Sequence, residues 1–323
     1  MKFGVFVPQG WRLGDLPNNV SPQEQWKIIE KVALKAEELG YHHVWVYDHF
    51  HTVPQPIAGK SVFEAWTIMA ALAPITRKIR LGQLVTCNLY RNPAYLAKIS
   101  SIVDVISNGR LELGIGACWY EHEFKGYGYP FPRPRVRIEM LEEAVQIIKK
   151  MWTESEVHFE GKYYKLEGAL NDPKPVQKPH PPILIGGGGE KYTLRVVAKH
   201  ADKWNLGGNL ENYARKLEIL KKHCKAVDRS LDDIVLTWTS TSIISRNEEE
   251  LREKFRNYEM FKLRQASFDE WRKRSLIGTP EEIAEKIEQA KKLGVKEIMV
   301  FFPYARELTE LEIFRDEVVK QFK

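Results

Sequence analysis

Short apolar runs alternate along the chain with longer stretches whose apolar positions recur at helical spacing, and the pair of patterns repeats eight times. Residues 3–8 read as a buried strand. Ser21-Pro22-Gln23-Glu24 then supplies an N-cap, a first-turn proline and a capping-box glutamate. The helix they open turns Ile28, Ile29, Val32, Ala36 and Leu39 inward and stops at Gly40. Residues 43–47 predict a second strand, 63–72 a helix and 79–86 a third strand. Asn92-Pro93 caps a helix to about Ile106, Asn108-Gly109 ends it, and 111–115 is strand four. A glycine- and proline-rich excursion over 114–134 leads into a long helix through Met140, Leu141, Val145, Ile148 and Trp152. Residues 157–166 alternate around Glu160-Gly161 as a surface hairpin does. Strands five to eight follow at 181–185, 202–206, 234–244 and 297–302. Helices fall between them, a charged helical insertion spans 246–274, and 311–322 closes the chain.

Strand and helix alternating without a linker imply a parallel sheet, and eight strands is the number at which such a sheet closes into a (β/α)8 TIM barrel. The expectation is α/β: one barrel domain over residues 1–323, with insertions after strands 4 and 7. A doubly wound open sheet is the rival, but no Gly-x-Gly-x-x-Gly follows the first strand. Composition narrows the class. Hydrophobic residues make up 43%, and Lys+Arg of 49 against Asp+Glu of 43 gives +6 spread along the chain. That is a solvated surface, with neither a nucleic-acid-binding block nor a membrane-length apolar run. The opening residues break at Pro8, too early for a signal peptide. Cys87, Cys118 and Cys224 are odd in number and far apart, which suggests neither a disulfide framework nor a zinc site and fits a reducing cytoplasm.

In a barrel, chemistry lies where strands hand over to the loops after them. Strand two ends in Asp48-His49, a carboxylate beside an imidazole and a candidate proton-transfer pair; the plain alternative is a turn cap next to a packed histidine. Strand three ends Leu84-Val85-Thr86-Cys87-Asn88, with Gly82 as a bulge or a close backbone approach and Thr86 and Asn88 as polar contacts. After strand four, Gly114 and Gly116 thin the backbone for a flat ligand, and Trp119 and Tyr120 offer an aromatic wall. Strand five runs into Gly186-Gly187-Gly188-Gly189-Glu190-Lys191 before a helix, where backbone N–H groups and the helix dipole suit a phosphate. The Gly-Lys-Ser/Thr ending of a Walker loop is missing.

These blocks resemble the luciferase-like monooxygenase superfamily and, within it, the coenzyme F420-dependent oxidoreductases. The resemblance covers nearly the whole chain: Val44-Trp45 with Asp48-His49-Phe50, Leu81-Gly82, Arg91-Asn92-Pro93, Asn108-Gly109-Arg110 through Gly116 to Trp119-Tyr120, Tyr127 to Pro132, Asn171 to Gln177, Pro181 to Gly189, Ala201 to Asn205 and Gly278 to Glu282. It implies FMN or the deazaflavin F420 across the barrel mouth and a homodimer. It also implies a non-proline cis peptide in the strand-three bulge, which maps to Leu84-Val85. The family's mouth histidine maps to His49, and its phosphate segment to Gly187, Gly188, Gly189 and Lys191. One departure stands out: the glucose-6-phosphate dehydrogenases of the superfamily carry a glutamate, and the bacterial luciferases an arginine, where this chain has Ala117. The resemblance therefore implies hydride transfer between F420 and a small organic substrate other than a sugar phosphate. His49 would move the proton, Asp48 orient it, Trp119 wall the pocket and residues 246–274 cover it. The alternatives are a two-component FMN monooxygenase fed by a separate reductase, and a barrel that binds flavin without turnover.

Overall fold

The computed structural model describes residues 1–322. Eight parallel strands, β1 Lys2–Phe6, β2 His43–Val46, β3 Arg80–Gln83, β4 Leu111–Gly116, β5 Ile183–Gly186, β6 Lys203–Gly207, β7 Val235–Ile244 and β8 Glu297–Phe301, pair in chain order. β8 pairs back onto β1 (Lys2↔Glu297) and β6 onto β7 (Val235↔Lys203), so the sheet is closed. Helices follow the strands: α1 Pro22–Glu38, α2 Ala65–Ile75, α3 Pro93–Ile106, the short α4 Glu121–Gly126, α5 Pro134–Thr153, α6 Thr193–His200 and α7 Leu210–Ala226. Then come α8 Glu248–Asn257, α9 Glu259–Leu263, α10 Phe268–Arg274, α11 Pro280–Lys292 and α12 Thr309–Ile313, the last continuing as π and 3₁₀ turns to Phe322. The predicted capping box of Ser21 with Glu24 forms, and Thr279 with Glu282 makes a second. No described helix is long and apolar enough to cross a membrane.

Inside the barrel, alternate strands stack side chains in layers. The bottom layer is polar. His43 of β2, Glu112 of β4, Lys203 of β6 and Glu297 of β8 meet there, all nearly inaccessible. Lys203 Nζ donates to Glu112 at 2.8 Å and to both Glu297 oxygens at 2.9 and 2.8 Å, and Arg80 and His43 complete the Glu112 carboxylate. His43, Glu112 and Glu297 lie close enough to hold a metal, but the Lys203 ammonium supplies the positive charge between the carboxylates. Above this plug, Trp45 crosses the interior. A Cβ on Gly82 would come within 2.2 Å of its ring and one on Gly4 within 2.5 Å, so Gly82 is the close approach the sequence pointed to.

Strand three departs from its predicted continuous run. It breaks after Gln83, passes a cis Leu84-Val85 peptide, and resumes at Thr86–Cys87 as a short strand paired to β4. The bend sends the Val85 side chain over the barrel axis, where it fills the space left by Gly116 and Gly186. A Cβ at either glycine would lie 2.7 or 2.8 Å from a Val85 methyl. This corrects the reading of the β4 glycines. Gly114 gives way to the Gln83 carbonyl and Gly116 to Val85, so the thinning first serves the chain's own bulge.

The cysteine reading is also overturned. Cys87 and Cys118 form a disulfide with Cα atoms 5.1 Å apart, and only Cys224, on the buried face of α7, stays free among the described residues. Thirty-one positions separate the two in sequence, but barrel closure puts the ends of β3 and β4 side by side. The predicted hairpin pairs Val157–Glu160 with Lys165–Ala169, and the insertion after β7 adds a short strand, Leu276–Gly278, beside the end of β7.

Candidate functional site

A cavity of about 450 Å³ opens at the C-terminal ends of the strands, within the size range of small-molecule and cofactor sites. Its lining includes Trp11, Tyr47, Asp48, His49, Leu84, Val85, Cys87, Cys118, Trp119, Arg137, Gly187 and Thr193. Of the residues singled out in the sequence, Asp48, His49, Leu84, Val85, Trp119 and Gly187 are therefore at the cavity. Thr86 and Asn88 are fully buried beneath it, and Gly188, Gly189 and Lys191 stand outside its lining. A Cβ on Gly188 would meet Leu206, one on Gly189 would meet Thr193 Oγ1 at 2.6 Å, and the exposed Lys191 lies over the Tyr192 ring. The glycine run thus packs against its own helix start and reaches the cavity through Gly186, Gly187 and Thr193.

His49 is held from two sides. Its ring stacks on Trp11 with centroids 4.1 Å apart and planes 3° from parallel. Its Nδ1 lies 2.8 Å from Glu123 Oε2. Glu123, wholly buried in α4, also accepts from the N–H groups of Phe50 (2.5 Å) and His51 (2.8 Å) and from the Tyr90 hydroxyl (2.7 Å). Burial alone would raise its pKa, but the hydrogen bonds from His49, His51 and Tyr90 outweigh burial and hold it below the usual carboxylate value. An ionised carboxylate only accepts, so His49 carries its proton on Nδ1, and Nε2 is the nitrogen left for a ligand. Burial and the Glu123 charge push the Tyr90 phenol up, keeping it a donor.

The partner of His49 is therefore Glu123 and not the adjacent Asp48. Asp48 turns the other way: Oδ2 accepts from Arg91 Nη1 at 2.7 Å and from the Cys87 N–H at 2.8 Å, and Oδ1 from Arg91 Nη2 at 3.0 Å. It ties the end of β2 to the resumed third strand. Sequence order could not show this, because successive residues at a strand end point apart. Glu123 carried no sequence signal beyond an acidic position in the first turn of a short helix.

Trp11, also missed, stands in the loop after β1, which is a strand-to-loop junction like those considered. That loop is tied down by the Gln9 side chain, which donates to the carbonyls of Tyr47 and Phe63 and accepts from the Tyr47 N–H. Asp15 adds to this by accepting from the N–H groups of Gln9 and Gly10.

At the opposite end of the cavity, α5 and α6 begin with Pro134 and Thr193, both in the lining. The two helix starts bring partial positive charge to this part of the cavity. Arg137, one turn into α5 and 8% exposed, lies flat on Phe131, and its Nη1 donates to the Pro132 carbonyl at 2.9 Å. Its Nε has no partner among the described residues. A buried, incompletely bonded guanidinium beside two helix starts is a fit for an anionic group such as a phosphate.

The molecule is a closed TIM barrel with an aromatic cavity at its mouth, a carboxylate-held histidine in the lining and a buried arginine beside two helix starts. The chain belongs to the luciferase-like monooxygenase family, whose sequence model matches residues 1–297, and its alignments span less than two thirds of the length of several curated relatives. It is 30% identical over 214 residues to the F420-dependent glucose-6-phosphate dehydrogenase of Amycolatopsis mediterranei, an alignment covering 64% of this chain and 62% of that enzyme's length. The FMNH2-dependent dimethylsulfone monooxygenase of Pseudomonas putida aligns over 99% of this chain and 94% of its own, at 24% identity. In fold, the monooxygenase RslO1 of Streptomyces bottropensis superimposes with a TM-score of 0.83 over 100% of both chains, at 22% identity.

Proposed function

We propose that this is a cytoplasmic oxidoreductase that transfers a hydride between coenzyme F420 and a small alcohol or carbonyl compound, with His49 moving the proton. The observation that carries the reading is the His49–Glu123 pair, with Nε2 free at the cavity. F420, when bound, supplies a hydride-carrying carbon. Leu84, Val85 and Trp119 would line its ring, and Gly187, Thr193 and Arg137 its phosphate. Val85 is seated by two glycines and so would give the ring a fixed backing. His49 would take the proton from a substrate hydroxyl, or return it, while Trp11 keeps the imidazole in plane and Glu123 keeps its tautomer. Sugar-phosphate chemistry is disfavoured, because Ala117 lines the cavity where those dehydrogenases place a carboxylate.

One observation favours a second reading. The relative that aligns over nearly the whole chain is an FMNH2-dependent monooxygenase, which would make FMN the cofactor and a separate reductase a partner. Dissociation constants for F420 and FMN, followed by absorbance, decide between the two. We also propose a homodimer, because Tyr95, Ile102, Val105 and Ile106 of α3 leave an apolar stripe exposed. Light scattering should give twice the 37.6 kDa chain mass.

The test of His49 starts with a screen of alcohols, aldehydes and enones with both cofactors. His49→Ala should leave cofactor affinity within a few-fold and lower turnover by roughly 10²–10⁴-fold. Full activity in the folded variant would return His49 to the pocket wall.

A further inference from the structure

Two of the three cysteines lie in the cavity wall. Cys87 closes the third strand's extension, and its N–H is bound to Asp48. Cys118 stands two residues beyond β4, immediately before Trp119 and Tyr120. The ladder between the two segments runs through Cys87↔Gly116 and the Asn88 N–H to Gly116 O bond, and there it ends. The disulfide is the next link up.

What it holds is not relaxed chain. Cys118 has φ +62°, in the left-handed region that non-glycine residues rarely adopt. The side chains that follow flank the histidine, with Trp119 and Tyr120 at 5.8 and 6.0 Å centroid distance from the His49 ring, and Trp119 is 57% exposed. Cys87 is buried, whereas Cys118 is half-buried, and both line the cavity. Cys224 lies elsewhere, on the buried face of α7, where burial raises its thiol pKa.

We propose that the Cys87–Cys118 bond is a thiol-exchange site in the cavity wall, opened by a dithiol reductant, and that its redox state sets how tightly the cavity holds its cofactor. A thiolate of the dithiol attacks Cys118 Sγ. The S–S bond breaks and its electron pair leaves on Cys87 Sγ, which takes a proton. The second thiol then displaces the mixed disulfide and Cys118 is released as a thiol. Two electrons pass from the dithiol to the pair, and the dithiol becomes a disulfide. Once cut, residue 118 is free to leave its left-handed conformation, and the wall carrying Trp119 and Tyr120 loosens. By linkage, a cofactor that prefers the closed wall also protects the bond from reduction.

The inference rests on the proposed cofactor site only for its affinity arm. The protein is purified without reductant and alkylated after denaturation, before and after treatment of the folded protein with dithiothreitol. Mass spectrometry should count one labelled cysteine before and three after. Hydrogen exchange at 116–121 should quicken on reduction. The dissociation constant for F420 or FMN should rise about tenfold, and bound cofactor should slow the reduction. Cys118→Ser should match the reduced protein and ignore dithiothreitol; if it does not fold, the reduced native chain carries the test. Three labels before dithiothreitol would overturn the proposal, as would identical exchange at 116–121 in the two redox states. If neither form binds either cofactor, the cofactor reading fails, and the exchange arm still decides this one.

Discussion

The Glu123 carboxylate takes four hydrogen bonds, and only the one from His49 faces chemistry. Replacing it with glutamine separates charge from shape. Glu123→Gln keeps an oxygen for the Phe50 and His51 N–H groups, so the loop stays in place. Its amide NH2, however, would face His49 Nδ1 and donate, forcing the imidazole into the other tautomer with the proton on Nε2. We expect turnover to fall about a hundredfold or more with cofactor affinity nearly unchanged, and the pH–rate profile to change shape. A fall in melting temperature with an intact pH profile would show instead that Glu123 only braces the loop. Arg137 offers the matching test at the other end of the cavity. If its guanidinium meets a phosphate, Arg137→Gln should weaken FMN about tenfold, roughly 1.4 kcal/mol, and leave riboflavin, which lacks the phosphate, where it was. Equal losses for both would place Arg137 against the ring or assign it to packing on Phe131.

At the scale of elements, periodicity and caps carried the barrel, because each strand–helix unit repeats the same local physics. Ser21 and Asn92 each cap a helix as the sequence predicts. What failed to show was whatever depends on two elements meeting. Asp48 and His49 are neighbours in sequence, yet their partners, Arg91 and Glu123, come from 43 and 74 positions away. The Cys87–Cys118 pair is a product of closure in the same way, since spacing says nothing about which strand ends adjoin. The glycine run was read as a phosphate cradle from its place between a strand end and a helix start and from the resemblance, and residue by residue it divides: Gly187 lines the cavity, while Gly188 and Gly189 make room for Leu206 and Thr193. The cis peptide at Leu84-Val85 was placed by resemblance, and the structure has it there. No propensity argument would have found it.

At the scale of the whole molecule, buried ionisable groups set the pH range in which the barrel is stable, and they act in opposite directions. Glu112 sits in the bottom plug. Burial raises its pKa, but His43, Lys203 and Arg80 overcome that and hold it well below the ordinary value. Its contribution is present at neutral pH and is lost as pH falls through its depressed folded value. Asp15 and Glu310 do the reverse. Burial raises Asp15 from 3.8 to about 7 against its N–H donors, and raises Glu310 from 4.5 to about 8 against Lys254, whose Nζ stands 3.4 Å away. Both bind a proton more tightly when folded, so their contribution is full below about pH 4 and is lost as pH climbs through 7 and 8. Each costs at most about 1.4 kcal/mol per pH unit across that window. Glu310 is the cleaner test, because neither of its carboxylate oxygens makes a hydrogen bond among the described residues and Lys254 keeps Glu250 at 2.9 Å if Glu310 loses its charge. Glu310→Gln should therefore raise the melting temperature at pH 8.5 or so and change it little at pH 5, where the native carboxyl is already neutral. A gain of equal size at both pH values would mean that the substitution acts through packing, and that ionisation of Glu310 is not what weakens the barrel in alkali.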